Sequence, residues 1–423
     1  MNLALGIDIG TSGVRTAVLD ACGELLCMAA HPHQPQNPTC IDAEKWWETV
    51  LACLTDQITA LRDLGHDPMQ IASIAVDGTS GTMVLTNARL QTVTRALMYD
   101  SKGFEAEAAL IDPLAPDLHI TKGPASALGR ALRLQSEDTD KSARHLLHQA
   151  DFITSRLIGR VAPSDYNNAL KTGFDPETET WPVWISKTGF ATSLLPEVVA
   201  PGAEITSISA RLADELGLSR RTRIHAGTTD SIAAFLACAD PMPGVAVTSI
   251  GTTLAIKILS QQRIDDPATG LYSHRLGDHW LVGGASNTGG GVLKHYFSDE
   301  ELITLSQNID PEIDTGLEYY PLLSAGERFP INDPKLEPRL SPRPENDVEF
   351  LHGLFEGIAR IEGLCYQRIT QAGGTMPHKI FTAGGAARNS VFTRIRSRYL
   401  PVPPTTAKHT EAAIGAAKLA SIA

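Results

Sequence analysis

The chain has 423 residues, 43% hydrophobic and 20% charged, with a formal net charge of −12. That length exceeds what one hydrophobic core usually serves, so two or three domains of an ordinary soluble protein are expected. The acidic balance argues against nucleic acid or a membrane surface as partner, because phosphate surfaces need clustered Lys and Arg.

Residues 3–9, 14–20 and 24–30 read as three successive strands, with turns at Thr11-Ser12-Gly13 and Asp20-Ala21-Cys22-Gly23. The first strand holds Asp8, where an unpaired carboxylate is disfavoured, so the residue is either hydrogen-bonded or has a task. A helix capped by Asp42 follows. Trp47, Val50, Leu51, Leu54, Ile58, Leu61 and Leu64 fall at helical spacing, and Gly65 stops it. Strands at Ile71–Val76 and Thr82–Thr86 flank Asp77-Gly78-Thr79-Ser80-Gly81. Residues 103–160 are helix-rich, which suggests an α/β domain with a mixed sheet.

Residues 250–259, IGTTLAIKIL, restate residues 9–19, IGTSGVRTAVL, as strand, turn, strand, and a further strand is predicted at Trp280–Gly284. Two related domains are therefore expected, 1–239 and 240–410, with 411–423 packing back on the first. A Pro/Gly hinge, Asp240-Pro241-Met242-Pro243-Gly244, lies between them. Residues 325–348, with five prolines, read as a loop. An amphipathic helix (Phe350, Leu354, Ile358, Ile361, Cys365, Ile369) closes at Gly373-Gly374. A strand at Lys379–Ala383 runs into Gly384-Gly385-Ala386-Ala387-Arg388-Asn389, and a small-residue helix covers Glu411–Ala420. Arg394, Arg396 and Arg398 read as a solvated helix face. The six cysteines form no C-x-x-C pair and no apolar run reaches about 18 residues, which suggests a cytoplasmic protein with reduced thiols.

Turns of Gly with Thr or Ser offer backbone N–H groups and hydroxyls to an oxyanion such as phosphate. Four are predicted: Gly10-Thr11-Ser12, Gly78-Thr79-Ser80, Gly227-Thr228-Thr229 and Gly251-Thr252-Thr253. Three have an aspartate beside them, Asp8, Asp77 and Asp230. As a set they point to a phosphate-handling cleft. Asp230 also stands where a helix N-cap would, before Ile232–Ala237.

The chain resembles the FGGY family of carbohydrate kinases, within the sugar kinase/actin/Hsp70 superfamily, nearly end to end. GIDIGTSGVRTAVLD resembles the first phosphate motif, CIDAEKWWETV an early tryptophan-bearing helix, and IHAGTTDSIAAFLA the catalytic segment. SIGTTLAI resembles the second phosphate motif, and FTAGGAARNSVFTRIRSRYLPVPP with EAAIGAAKLA the adenosine motif and closing helix. The resemblance implies an α/β fold of two actin-like ATPase (ribonuclease H-like) domains facing a central cleft. It implies a sugar substrate, ATP and Mg²⁺, and a monomer or homodimer.

It also implies roles. Asp230 accepts the proton of the attacking sugar hydroxyl, Asp8 holds Mg²⁺ through water, and Thr11 and Thr252 donate to the transferred phosphate. Ser12, Gly13, Asp77, Thr79, Asp100 and Ser231 fall on the sugar side. Gly251, Thr253, Asn287, Gly384, Gly385, Ala386, Asn389 and Phe392 fall on the nucleotide side, with core packing an equal reading for Phe392. The Met-His-Gly signature of many relatives is replaced by Asp77-Gly78-Thr79-Ser80-Gly81, and the Pro-Lys signature finds no lysine at Gly123–Ala127. The compact length and the AVDGTS segment resemble a short D-ribulokinase-like branch. D-Ribulose is thus the favoured substrate, D-xylulose the alternative, and a nucleotide-switched non-kinase the third reading.

Overall fold

The computed structural model describes residues 2–117 and 119–421, leaving the side chains of Ala386 and Ala387 outside the description. The chain divides into two compact units, Met1–Ala237 with Glu411–Ala423, and Cys238–Thr410.

The first unit is built on a six-stranded mixed sheet. Its strands are β1 (Leu3–Ile9), β2 (Gly13–Leu19), β3 (Leu25–Pro32), β4 (Ile71–Gly78), β5 (Glu204–Ser207) and β6 (Arg223–Thr229), in the order β3-β2-β1-β4-β6-β5. β1 to β3 form an antiparallel meander, while β4 runs parallel to both β1 and β6. β1 is buried along its whole length, as a strand covered on both faces must be. The helix Glu44–Asp63 packs on β2 and β3; the Asp42 carboxylate accepts the Glu44 N–H at 2.9 Å, and Gly65 takes a φ of 82°. The helix Ala412–Ser421 lies on β1, β2 and β4. Its approach is so close that a Cβ on Gly6 would stand 1.9 Å from the Ala413 carbonyl oxygen. A smaller core gathers Phe104, Leu128 and Leu146 around the hairpin-like pair Met83–Thr86 and His145–His148.

The second unit repeats the plan. β7 (Val245–Ile250), β8 (Leu254–Ser260), β9 (Tyr272–Leu276), β10 (His279–Ser286), β11 (Lys379–Ala383) and β12 (Pro404–Thr406) pair in the order β9-β10-β8-β7-β11-β12. Apart from the edge strand β9, which the sequence reading did not name, the succession is that of β3-β2-β1-β4-β6. The helix Asp347–Gln371 buries Phe350, Leu354, Ile358 and Ile369 in this unit's core.

The solvated arginine face is corrected. Positions two apart on a helix point roughly 200° from each other, so three alternating arginines cannot share a face. On the helix Ser390–Ser397, Arg394 is exposed, whereas Arg396 is fully buried and pairs with Glu362 at 2.7 Å. Among the described residues no helix is long and apolar enough to cross a membrane, and no cysteine is joined in a disulfide.

Candidate active site

Strand register assembles the site of the first unit. Asp77 of β4 lies opposite Asp8 of β1 on one side and Thr228 of β6 on the other. Asp230 begins the helix Asp230–Cys238 directly after β6. Three carboxylates therefore sit at the carboxyl ends of three neighbouring parallel strands, the usual ligand edge of such sheets.

Asp8 is 6% exposed and Asp77 is sealed from solvent. Burial pushes Asp8 up to about 6, opposed by Asp77 and Arg15 and reinforced by Asp230 and Glu411. Burial, then the charges of Asp8 and Asp230, hold Asp77 well above the usual carboxylate range. Neither Asp77 oxygen has a hydrogen-bond partner, so the buried carboxyl lies beside Asp8 with nothing to stabilise its charged form. Arg15, a residue not foreseen, places Nη1 3.7 Å from Asp8 and Nε 3.4 Å from Glu411. It is the register partner of Asp8 across the β1–β2 hairpin, a relation that the turn length could have disclosed. Asp230 is half-buried, and its Oδ1 accepts the Ser231 N–H at 2.7 Å. The helix end there favours an anion.

Thr11 and Ser12 are exposed on a turn closed by the Gly10 N–H to Gly13 carbonyl bond at 3.0 Å. His33 braces it, with Nε2 3.1 Å from the Gly10 carbonyl and its main-chain N–H 3.0 Å from that of Ser12. Gly13 itself is buried, paired with Pro32 at the start of β2.

Two of the four expected hydroxyl turns are corrected. Gly227, Thr228 and Thr229 lie inside β6, beside a register irregularity, with both threonines buried. The Thr79 hydroxyl points inward to Thr82 at 2.6 Å and Gln149 at 2.7 Å. Asp77, expected to bind a sugar hydroxyl, offers no surface for one unless the segments covering it move. Asp100 is exposed, on a loop tied to the same region by the Tyr99 N–H to Thr82 hydroxyl bond at 2.9 Å. Ser231 is half-buried beside Thr229, the two hydroxyl oxygens 3.4 Å apart.

In the second unit β7 and β11 run parallel, with Ser249 opposite Ala383. The exposed turn Gly251-Thr252-Thr253 and the Gly384-Gly385 turn thus leave from adjacent strand ends. Gly384 has a φ of 89°, and its Cβ would lie 2.4 Å from the Ile250 carbonyl oxygen, so only glycine fits. Gly385 has open space above it. The main-chain N–H groups of Gly290 and Gly291 close on the Gly251 and Thr252 carbonyls at 2.8 and 2.9 Å. Asn287 is committed to the 326–328 segment, donating to the Gly326 carbonyl at 2.9 Å and accepting from Arg328 Nε at 2.7 Å. That segment, read from sequence as loop, holds the buried Glu327, which accepts from Ser286, Asn287, Tyr320 and Arg328. No local sequence pattern marks it.

Asn389 caps the helix Ser390–Ser397, accepting the Phe392 N–H at 3.0 Å, and donates to Ser306 at 3.1 Å. Phe392 is fully buried and stacked on Phe355, centroids 4.6 Å apart, so core packing replaces the adenine-facing role. Ala386 lies in the short 3₁₀ turn Gly385–Arg388, its side chain outside the described residues. Among the described residues no three metal-ligating side chains are grouped to hold an ion directly. The donor set of Asp8 with Asp77, short of protein donors, suits Mg²⁺, which takes one or two carboxylates and keeps several waters.

The chain is 23% identical to the xylulose kinase of Escherichia coli (strain K12) over 99% of its own length and 90% of that protein. Among solved structures it resembles a crystal structure titled xyloylose kinase from Brucella ovis, with a TM-score of 0.87 at 20% identity, covering 100% of this chain and 91% of that one. It also resembles a gluconate kinase from Lactobacillus acidophilus, with a TM-score of 0.82 at 18% identity, covering 99% and 88%. The repeated mixed sheets are accordingly the actin-like ATPase domains of such kinases. Residues 3–237 match the model of the N-terminal domain of FGGY carbohydrate kinases and residues 246–423 that of the C-terminal domain. The chain therefore belongs to the FGGY family of carbohydrate kinases and is an ATP-dependent sugar kinase.

Proposed function

We propose that this kinase phosphorylates a ketopentose, with D-xylulose first and D-ribulose second. The order reverses the preference drawn from sequence. Relatives named xylulose kinase align with nearly the whole chain, whereas D-ribulose rested on compact length and the AVDGTS segment. Likeness of fold does not choose between sugars, since a gluconate kinase shares it.

The observation that carries the reading is the meeting of Asp8, Asp77 and Asp230 at three parallel strand ends, beside the exposed Thr11-Ser12 turn. Asp230, accessible on the first turn of its helix, accepts the proton of the attacking hydroxyl. Phosphoryl transfer needs chiefly positioning and charge neutralisation, so one well-placed carboxylate meets the demand. Thr11 and Thr252 donate hydroxyl hydrogens to phosphate oxygens. The open backbone at Gly251 and Gly385 admits the nucleotide. Asp8 would hold Mg²⁺, and Asp77 acts through Asp8. Bound Mg²⁺ would neutralise phosphate charge, to which Arg15 adds a fixed cation. Asp100 and Ser231 complete the sugar side.

A coupled ADP-release screen across pentuloses, pentitols, hexuloses and glycerol tests this. The expected result is highest turnover on D-xylulose. Failure with every ketopentose, alongside activity on glycerol or a hexulose, overturns it.

A further inference from the structure

Arg130 lies on the helix Ala127–Glu137 and is 4% exposed. Buried guanidinium groups ordinarily pair with a carboxylate. Here every hydrogen bond goes to a main-chain carbonyl. Nε donates to Met98 at 3.1 Å, Nη2 to Tyr99, and Nη1 and Nη2 to Ala125 at 3.2 and 3.0 Å. The carboxylate that offsets its charge is Asp100, the next residue of the same loop, while burial lowers the guanidinium pKa to about 10.

The loop is pinned from its other side as well. Thr82 accepts the Tyr99 N–H at 2.9 Å, and Leu97 and Met83 exchange main-chain hydrogen bonds at 3.0 Å. Two segments thus meet on one cation, the loop 98–100 and the turn 123–126, and a third, 79–83, which follows Asp77, holds that loop from its other side. A buried charge without a contacting counter-ion is a poor choice for stability alone, and an apolar side chain of that size would fill the volume. What the guanidinium adds is a rigid planar fork that holds separate carbonyls at fixed spacing. Tyr99, 45% exposed, and the exposed Asp100 therefore project from a fixed base.

We propose that Arg130 is a positioning residue for sugar binding, fixing the Met98–Asp100 loop so that Tyr99 and Asp100 present a preformed face to the sugar. The inference rests on the assignment of Asp100 to the sugar side in the proposed function. No lysine stands at Gly123–Ala127, and the cation that serves this turn lies three residues beyond it, at Arg130.

Arg130→Lys keeps the charge and loses the fork; Arg130→Met loses both. The test sugar is whichever one wild-type enzyme turns over fastest, so an error in the ketopentose reading leaves this experiment intact. The expected result for Arg130→Lys is a sugar KM raised about tenfold or more, with ATP KM unchanged and a thermal midpoint near wild type. Wild-type sugar KM in the folded variant overturns the proposal, as does a parallel rise in both KM values. Hydrogen exchange of the wild-type enzyme serves if neither variant folds. Amides of Tyr99 to Ser101 are expected to slow on adding sugar without ATP, and unchanged exchange overturns the proposal.

Discussion

Asp8 and Asp77 are register partners on adjacent parallel strands, and Asp77 is cut off from water with no hydrogen-bond partner on either carboxyl oxygen. Such a pair retains a proton at a pH where ordinary carboxylates have lost theirs. The arrangement is costly to the fold and is kept beside the exposed turn that the proposed reaction uses.

Stability should carry the signature of that cost. The folded pKa of Asp77 is raised, so its contribution is complete below the unfolded value of about 3.9 and is lost as pH rises through the folded one. Asp77→Asn removes the ionisable group and is expected to raise the thermal midpoint, with a margin over wild type that widens from about pH 5 to pH 8. Thermal unfolding across that range checks it; a margin independent of pH refutes it. Asp165, buried and raised to about 7 by desolvation and by Asp151, is expected to behave in the same sense.

Asp230→Asn is isosteric at the helix start and should fold normally. Turnover of the best sugar is expected to fall at least about a hundredfold, with ATP binding retained. Steady-state kinetics with a nucleotide-binding titration separates the two, and a folded variant with normal turnover refutes the assignment.

Gly384 and Gly385 are adjacent yet should respond oppositely to alanine. Gly384→Ala meets the Ile250 carbonyl at positive φ and is expected to destabilise the second unit. Gly385→Ala meets nothing and is expected to fold at the wild-type midpoint while raising ATP KM. Melting curves and nucleotide kinetics on both variants decide it. An ATP KM unaffected by Gly385→Ala removes that turn from the nucleotide site.

The buried pair of Arg396 and Glu362 makes a thermodynamic cycle informative. Arg396→Met alone strands a carboxylate also bonded to Thr248, and the loss is expected to reach about 3–5 kcal/mol. Adding Glu362→Leu should recover part of that loss. Denaturant unfolding of the four proteins measures the coupling; additive losses refute it.

The duplicated plan of the fold was legible because its signal is local. A glycine-hydroxyl turn between two apolar runs appears at both Gly10-Thr11-Ser12 and Gly251-Thr252-Thr253, and both became exposed hairpin turns. Gly227-Thr228-Thr229 looks the same in one dimension, yet a parallel neighbour on one side and a register irregularity keep it inside a strand. Arg15 and Arg130 matter through partners seven and some thirty residues away, Asp8 and the Met98–Asp100 loop, which spacing alone does not reveal. Phe392 was ambiguous because a helical aromatic serves a core and a ligand equally well; Phe355 decided it.

The helix Ala412–Ser421 belongs to the first unit, yet the ribosome makes it only after all of Cys238–Thr410. Until then Gly6 and its neighbours on β1, together with Ala233, lack their cover. The half of the molecule that carries Asp8, Asp77 and Asp230 is thus begun first and finished second. A lesion that truncates the chain anywhere in Cys238–Thr410 would also leave the acid cluster on a sheet without its covering helix.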